Sequence, residues 1–251
     1  MTRVVLLGAS NVTLGFGVIT RLIRAGFDGP LDVRAALGHG RSYGAWSTVA
    51  VRSLPGIAES GLWASLGHAE TARTYALLTD VGNDLMYGFP PERIAGWVET
   101  CLDRLADGGA AVVVTRLPIA RVERLSAARY HATRMSFFPL HRPVSWTEML
   151  RRARDLDALV AEAALRRGAA VVTPPLEWYG FDPIHIRWTR RPRAWAEILS
   201  AWPGFRRPSG RVTAPALPLI GRFPERYRLF GRDASSRQPV TVRDDATLSL
   251  Y

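Results

Sequence analysis

Asp182 and His185 stand three residues apart, with Pro183 in the turn between them. An imidazole acts as a base only when its tautomer and orientation are fixed. A carboxylate on its second ring nitrogen fixes both and stabilises the imidazolium as it forms. Such pairs are also common on protein surfaces, so this one acquires meaning only beside a nucleophile. Ser10 is the candidate. It follows Val4-Val5-Leu6-Leu7, an apolar run that breaks at Gly8, and it precedes Leu14, Val18, Ile19, Leu22 and Ile23 at helical spacing. The hydroxyl therefore lies where a buried strand ends and a helix begins. In an open α/β sheet, ligands bind at that edge, and the unpaired N–H groups of a helix start favour an oxyanion. Ser10 has two readings at this point, a nucleophile and a plain N-cap of the helix.

The elements that must position these residues follow along the chain. Leu31 to Leu37 reads as a second strand and runs into Gly38-His39-Gly40-Arg41-Ser42-Tyr43-Gly44, whose glycines let backbone approach a ligand. Ser42 is placed to cap a helix through Trp46 and Val49, and residues 53–73 read as irregular with some helix. Tyr75 to Thr79 is a third strand, ending in Asp80-Val81-Gly82-Asn83-Asp84. Pro91 opens an amphipathic helix with Ile94, Trp97, Val98, Cys101, Leu102 and Leu105 on one stripe, stopped at Gly108. Ala111 to Thr115 is a fourth strand. Residues 117–144 lack a clear period and are too long for an ordinary connection, which predicts a functional loop or lid. Ser145-Trp146-Thr147-Glu148 is a capping box for the next helix. Ala170 to Thr173 is the fifth strand, followed by the Asp182–His185 turn and a last helix near Arg193 to Trp202. Five alternations with continuous apolar strands predict a parallel sheet covered on both faces.

Ser10, the Gly38–Gly44 loop, Asn83 and His185 each follow a strand in this scheme, so all face one sheet edge. That constellation suits ester chemistry, with Ser10 attacking a carbonyl and His185 taking its proton. The Ser10 N–H, a glycine N–H and the Asn83 amide then serve the oxyanion. The chain here resembles the SGNH hydrolases, the GDSL-like esterases and lipases, over about residues 3–202. Gly8-Ala9-Ser10 looks like their first block, His39-Gly40-Arg41-Ser42 the second, Gly82-Asn83-Asp84 the third and Asp182-Pro183-Ile184-His185 the fourth. The resemblance implies a flavodoxin-like three-layer α/β/α sandwich around a five-stranded parallel sheet. It also implies a catalytic Ser10, Asp182 and His185, with an oxyanion hole from Ser10, Gly40 and Asn83. Gly44 is the runner-up to Gly40. Two departures stand out. The family usually has Asp where Ala9 stands, a change that leaves the chemistry intact, and Gly where Val81 stands, with Gly82 shifted by one, so the placement of the Asn83 amide is open. Hydrolysis, acyl transfer to another alcohol, and non-catalytic binding of an acidic partner are the competing functions.

His39, Tyr87, Trp178 and Phe181 are the expected substrate-pocket residues, although aromatics at a sheet edge equally serve packing. Arg187, Arg190, Arg191 and Arg193 either hold an anionic substrate group or line a solvated face. His68, His131 and His141 show no ligand spacing, so no metal and no cofactor is expected. All 33 basic residues are arginine and the formal charge is +11. The complete lack of lysine points to coding bias more than to a nucleic-acid site, and none is expected. The lone Cys101 lies on an apolar helix stripe, which excludes a disulfide framework and fits a cytoplasmic protein. No apolar run approaches a membrane span. From Pro203 the helical period vanishes, and nine arginines accompany four acidic residues. Residues 203–251 are thus expected to form an appendage to the 1–202 hydrolase domain, with short strands near Tyr227–Phe230 and Thr247–Leu250. It is too small for its own core and must pack on the domain or on a second copy in a homodimer.

Overall fold

The computed structural model describes residues 1–67, 73–137, 144–210 and 212–251. The first half of the chain forms β1 (Thr2–Leu7), α1 (Ser10–Gly26), β2 (Leu31–Ala36), β3 (Ser47–Val49), β4 (Arg52–Leu54), α2 (Leu62–Leu66), β5 (Arg73–Leu78), α3 (Asn83–Met86), α4 (Pro91–Asp107) and β6 (Ala111–Thr115). The second half forms α5 (Ile119–Val122), α6 (Ala127–Phe137), α7 (Trp146–Arg166), β7 (Ala170–Val172), α8 (Arg191–Leu199), β8 (Arg226–Leu229), β9 (Arg232–Ser235), β10 (Thr241–Arg243) and β11 (Ala246–Leu250).

The expected five strands pair in parallel in the order β2-β1-β5-β6-β7, the flavodoxin-like order. Val4, Val5, Leu6 and Leu7 are fully buried, because β1 is central and both faces of the sheet are covered. On one face α1 and α8 pack with Phe16, Ile19, Trp195 and Ile198. On the other, α4 and α7 pack with Val98, Cys101, Leu156 and Val160. Burying each such side chain contributes roughly 1.5–3 kcal/mol. Pro91 starts α4 and Ser145 caps α7 by accepting from the Glu148 N–H at 3.3 Å.

The sheet is larger than the expected five strands. β11 adds parallel to β2, with Leu248 beside Val33, and β10 pairs antiparallel outside it, giving seven strands. Leu248 is fully buried and Leu250 nearly so, in the same core as Val4 and Val33. A second, antiparallel sheet has the order β3-β4-β8-β9. It corrects the expected helix through Trp46 and Val49. Ser42 does not cap a helix; its Oγ accepts from the N–H groups of Gly44 and Ala45 and forms a turn. β3 then pairs with β4 across Ala50, which takes a left-handed φ of +54°. Within 117–144, the described residues form α5 and α6 rather than a plain loop. Their period is weak because α5 buries no residue and, among the described side chains of α6, Tyr130 and Arg134 are the buried ones.

Candidate active site

Ser10 is the first residue of α1, behind Ala9 as N-cap, and no side chain of the N-cap bonds the helix. The Asp80 carboxylate does that work from the end of β5. It accepts from the N–H groups of Ala9 at 2.8 Å, Asn11 at 3.0 Å and Val12 at 3.3 Å. Asp80 takes a φ of +62°, an uncommon conformation for a non-glycine residue. With the orphan N–H groups of the first turn satisfied by Asp80, the Ser10 hydroxyl is released from capping. It lies 2.8 Å from His185 Nε2 instead.

The other ring nitrogen, His185 Nδ1, is 2.6 Å from Asp182 Oδ2. Asp182 Oδ1 accepts from the backbone N–H of Ile184 at 3.0 Å and of His185 at 3.2 Å. These local bonds close the turn that the Asp–Pro–Ile–His spacing suggested. Burial pushes the Asp182 carboxyl up, but the His185 ring and these N–H donors outweigh it and hold it below its ordinary value. An ionised Asp182 fixes the proton on Nδ1 and leaves Nε2 to accept the Ser10 O–H. The loop is fastened to α1 by Asn11. Its Nδ2 donates to Asp80 Oδ1 at 2.8 Å and to the Ile184 carbonyl at 2.9 Å, while its Oδ1 accepts from the Ile186 N–H at 2.8 Å.

Asn83 opens α3 and borders the same cavity as Ser10. Its Nδ2 is buried without a hydrogen-bond partner. Such a donor costs about 1–3 kcal/mol when left unsatisfied. Gly40 adopts a φ of +62°, and a Cβ there would sit 2.7 Å from Val49 and 2.9 Å from the Tyr87 hydroxyl. Its carbonyl accepts from that hydroxyl. The Gly44 N–H, by contrast, donates to Ser42 Oγ at 3.1 Å. Ser42 Oγ in turn donates to Asp84, whose other oxygen accepts from the Tyr43 N–H at 2.8 Å. Burial pushes this fully enclosed Asp84 carboxyl up to about 6, against the lowering effect of those two bonds.

No family model and no curated sequence matches the chain. Solved structures do. A carbohydrate acetylesterase from Sinorhizobium meliloti aligns with a TM-score of 0.53 at 13% identity, over 79% of this chain and 97% of its own. An inhibitor-bound aryl esterase from M. smegmatis gives 0.52 at 12%, over 80% and 97%. The psychrotrophic esterase EstA from Pseudoalteromonas sp., inhibited by monoethylphosphonate, gives 0.51 at 12%, over 80% and 96%. The chain has an SGNH-hydrolase-like fold.

Within this SGNH-like frame the four expected pocket residues separate. Trp178 is buried and lines the cavity at Ser10. Tyr87 reaches Gly40 instead, and burial pushes its hydroxyl up to about 12. His39 lines a different groove with Thr13 and Arg52. Burial, then Arg52 and His185, hold it below its ordinary value. Phe181 does not line the cavity at Ser10; it is 87% exposed, with the Arg129 guanidinium 4.5 Å over its ring. Arg187, Arg190 and Arg193 are exposed. Arg191 donates to the carbonyls of Ile186 at 3.2 Å and Leu14 at 3.1 Å, bracing the loop.

The sequence reading missed Asp80 and Asn11. Asp80 bonds N–H groups 68 to 71 residues away in the chain, a range at which no sequence spacing signals it. Among the described residues, no three His, Cys, Asp or Glu side chains gather as a metal site, and no helix is long and apolar enough to cross a membrane. His68 and His141 lie outside the described residues.

Proposed function

We propose that this protein is a serine hydrolase that cleaves a carboxylic ester or O-acyl group through an acyl-enzyme. The observation that carries the reading is the chain of contacts from Ser10 Oγ to His185 Nε2 at 2.8 Å and from His185 Nδ1 to Asp182 at 2.6 Å. The esterase activities named for the structural neighbours support it at the level of reaction class.

In this reading Ser10 Oγ bonds to the substrate carbonyl carbon as its proton passes to His185 Nε2, and Asp182 stabilises the imidazolium. The carbonyl oxygen takes the negative charge and accepts from the Ser10 N–H, the Gly40 N–H and the orphan Asn83 Nδ2. One such donor is typically worth about 2.7–4 kcal/mol of barrier. The C–O ester bond then breaks, and the leaving alcohol takes the proton from His185. Water repeats the sequence, giving its proton to His185 and its oxygen to the acyl carbon, and Ser10 is regenerated. The single cysteine, buried with its thiol pushed up to about 12, accords with a reducing, cytoplasmic setting.

The test is Ser10→Ala. Turnover of p-nitrophenyl acetate is expected to be lost while the far-ultraviolet circular dichroism is retained. A fluorophosphonate probe is expected to mass-label Ser10 in the wild-type chain. A variant with unchanged turnover ends this reading.

A further inference from the structure

The cavity that opens at Ser10 and Asn83 runs beneath α5 and α6 and has a volume of about 140 Å³. Its deeper wall is Val122, Leu125, Tyr130, Trp146, Met149 and Trp178. Tyr130 turns its hydroxyl away, donating to the Val144 carbonyl at 3.0 Å, and lays its ring 5.2 Å from that of Trp146. Several polar groups on the wall are already engaged, and the unpartnered Asn83 Nδ2 lies at the Ser10 end. The Thr79 and Thr115 hydroxyls bond each other, and the Arg116 guanidinium pairs with Asp157 at 2.5 Å. The interior thus offers an occupant apolar contact and little hydrogen bonding.

We infer that this cavity is an acyl pocket, and that the preferred substrates are esters of an apolar acyl group of about six carbons or of a benzoyl ring, the size that a dry cavity of about 150 Å³ accommodates. The inference rests on the reading of Ser10 as nucleophile. An ester has two halves, and the order of events assigns them. The alcohol must leave before water enters, whereas the acyl group stays bonded to Ser10. A mostly apolar pocket beside Ser10 suits the tethered half.

The cover of the pocket is fastened to the loop that carries the base. Arg121 donates to the Gly180 carbonyl, and Arg129 donates to the Phe181 carbonyl at 2.6 Å. α5 and α6 are therefore held in register with Asp182 and His185. An acyl group seated under them is aligned with Ser10 by the same contacts.

The experiment uses the purified full chain and two ester series. In the first the alcohol is p-nitrophenol and the acyl chain grows from acetyl to dodecanoyl, with benzoyl added. In the second the acyl group is acetyl and the alcohol grows. The expected result is a kcat/KM that rises about tenfold or more from acetyl to hexanoyl, falls again toward dodecanoyl, and changes little across the second series. Val122→Phe and Met149→Phe fill the cavity from two separate helices. Each is expected to lower the hexanoyl-to-acetyl ratio about tenfold, and either one that keeps its circular dichroism suffices. A flat acyl profile with Ser10 still labelled by fluorophosphonate overturns the pocket and leaves the hydrolase reading standing. A preference that follows the alcohol overturns it too. Absence of both labelling and turnover overturns the pocket together with the reading it rests on.

Discussion

On one flank of Ser10, Asp80 accepts three backbone N–H groups and the Asn11 amide, and Asn11 bonds the backbone on either side of His185. On the other flank, Leu125, Tyr130, Met149 and Trp178 meet the cavity as apolar surface. Hydrogen bonds are directional and weaken steeply with angle and distance, so the first flank fixes where two atoms stand. Apolar contact is non-directional and follows area and volume, so the second flank fixes what size of group fits. On the proposed hydrolase reading the two flanks therefore govern different observables, rate on the polar side and substrate size on the apolar side.

The largest expected effect breaks the polar flank. Asp80→Ala leaves the first turn of α1 uncapped and frees Asn11, so Ser10 and His185 lose their fixed separation. kcat is expected to fall about 100-fold, the scale of a 1 Å misplacement, with KM little changed. Asp80→Asn keeps one accepting oxygen and is expected to recover part of the loss. Steady-state kinetics and the rate of fluorophosphonate labelling read both variants, and a loss confined to KM would contradict the division between flanks.

A smaller effect sharpens the description of the polar flank. Asp84 holds the Gly38–Gly44 loop through Ser42 and Tyr43, and its carboxyl is raised from 3.8 to about 6. A raised folded-state value means the folded protein favours the protonated form. That stabilisation is fully present below about pH 3.8 and is lost as pH rises through about 6. It amounts to roughly 2–3 kcal/mol. Asp84→Asn is neutral throughout, so the wild-type chain should lose stability relative to the variant between pH 4 and pH 6. Urea denaturation of both at several pH values measures this, and parallel curves would refute it.

The smallest effect concerns the bridge between the flanks. Phe181→Ala removes an exposed ring under Arg129, a contact worth about 0.5–1 kcal/mol. The Arg129 bond to the residue 181 carbonyl does not need the ring. Thermal melts should show a minor shift and the acyl-length profile should hold. A changed profile would place Phe181 in substrate selection after all.

The fold was legible where the signal is local. Val4 to Leu7, the α4 stripe from Ile94 to Leu105 and the Ser145–Glu148 cap are each written within a few residues, because strand burial, helical period and capping act at short range. The Asp182–His185 turn was legible for the same reason, since its carboxylate bonds the N–H groups two and three residues on. α5 and α6 were not, because α5 buries no residue and α6 only two of its described side chains. β3 and β4 were misread because Ser42, a sound cap by type, spends its hydroxyl on Asp84 and a turn.

By itself the sequence determined the strand–helix alternation, the edge on which Ser10, Asn83 and His185 fall, and the turn that presents the imidazole. Tertiary structure alone decided the rest. It brought Asp80 under the start of α1, 69 to 71 residues away in the chain. It left the Asn83 amide buried without a partner and engaged the N–H of Gly44 rather than that of Gly40. It also laid β11 against β2, so that the last strand of the chain extends the sheet begun by the first. The physical reason is range. Propensity and period are properties of neighbours in sequence, whereas a long-range hydrogen bond or strand pairing exists only once the whole chain has closed around it.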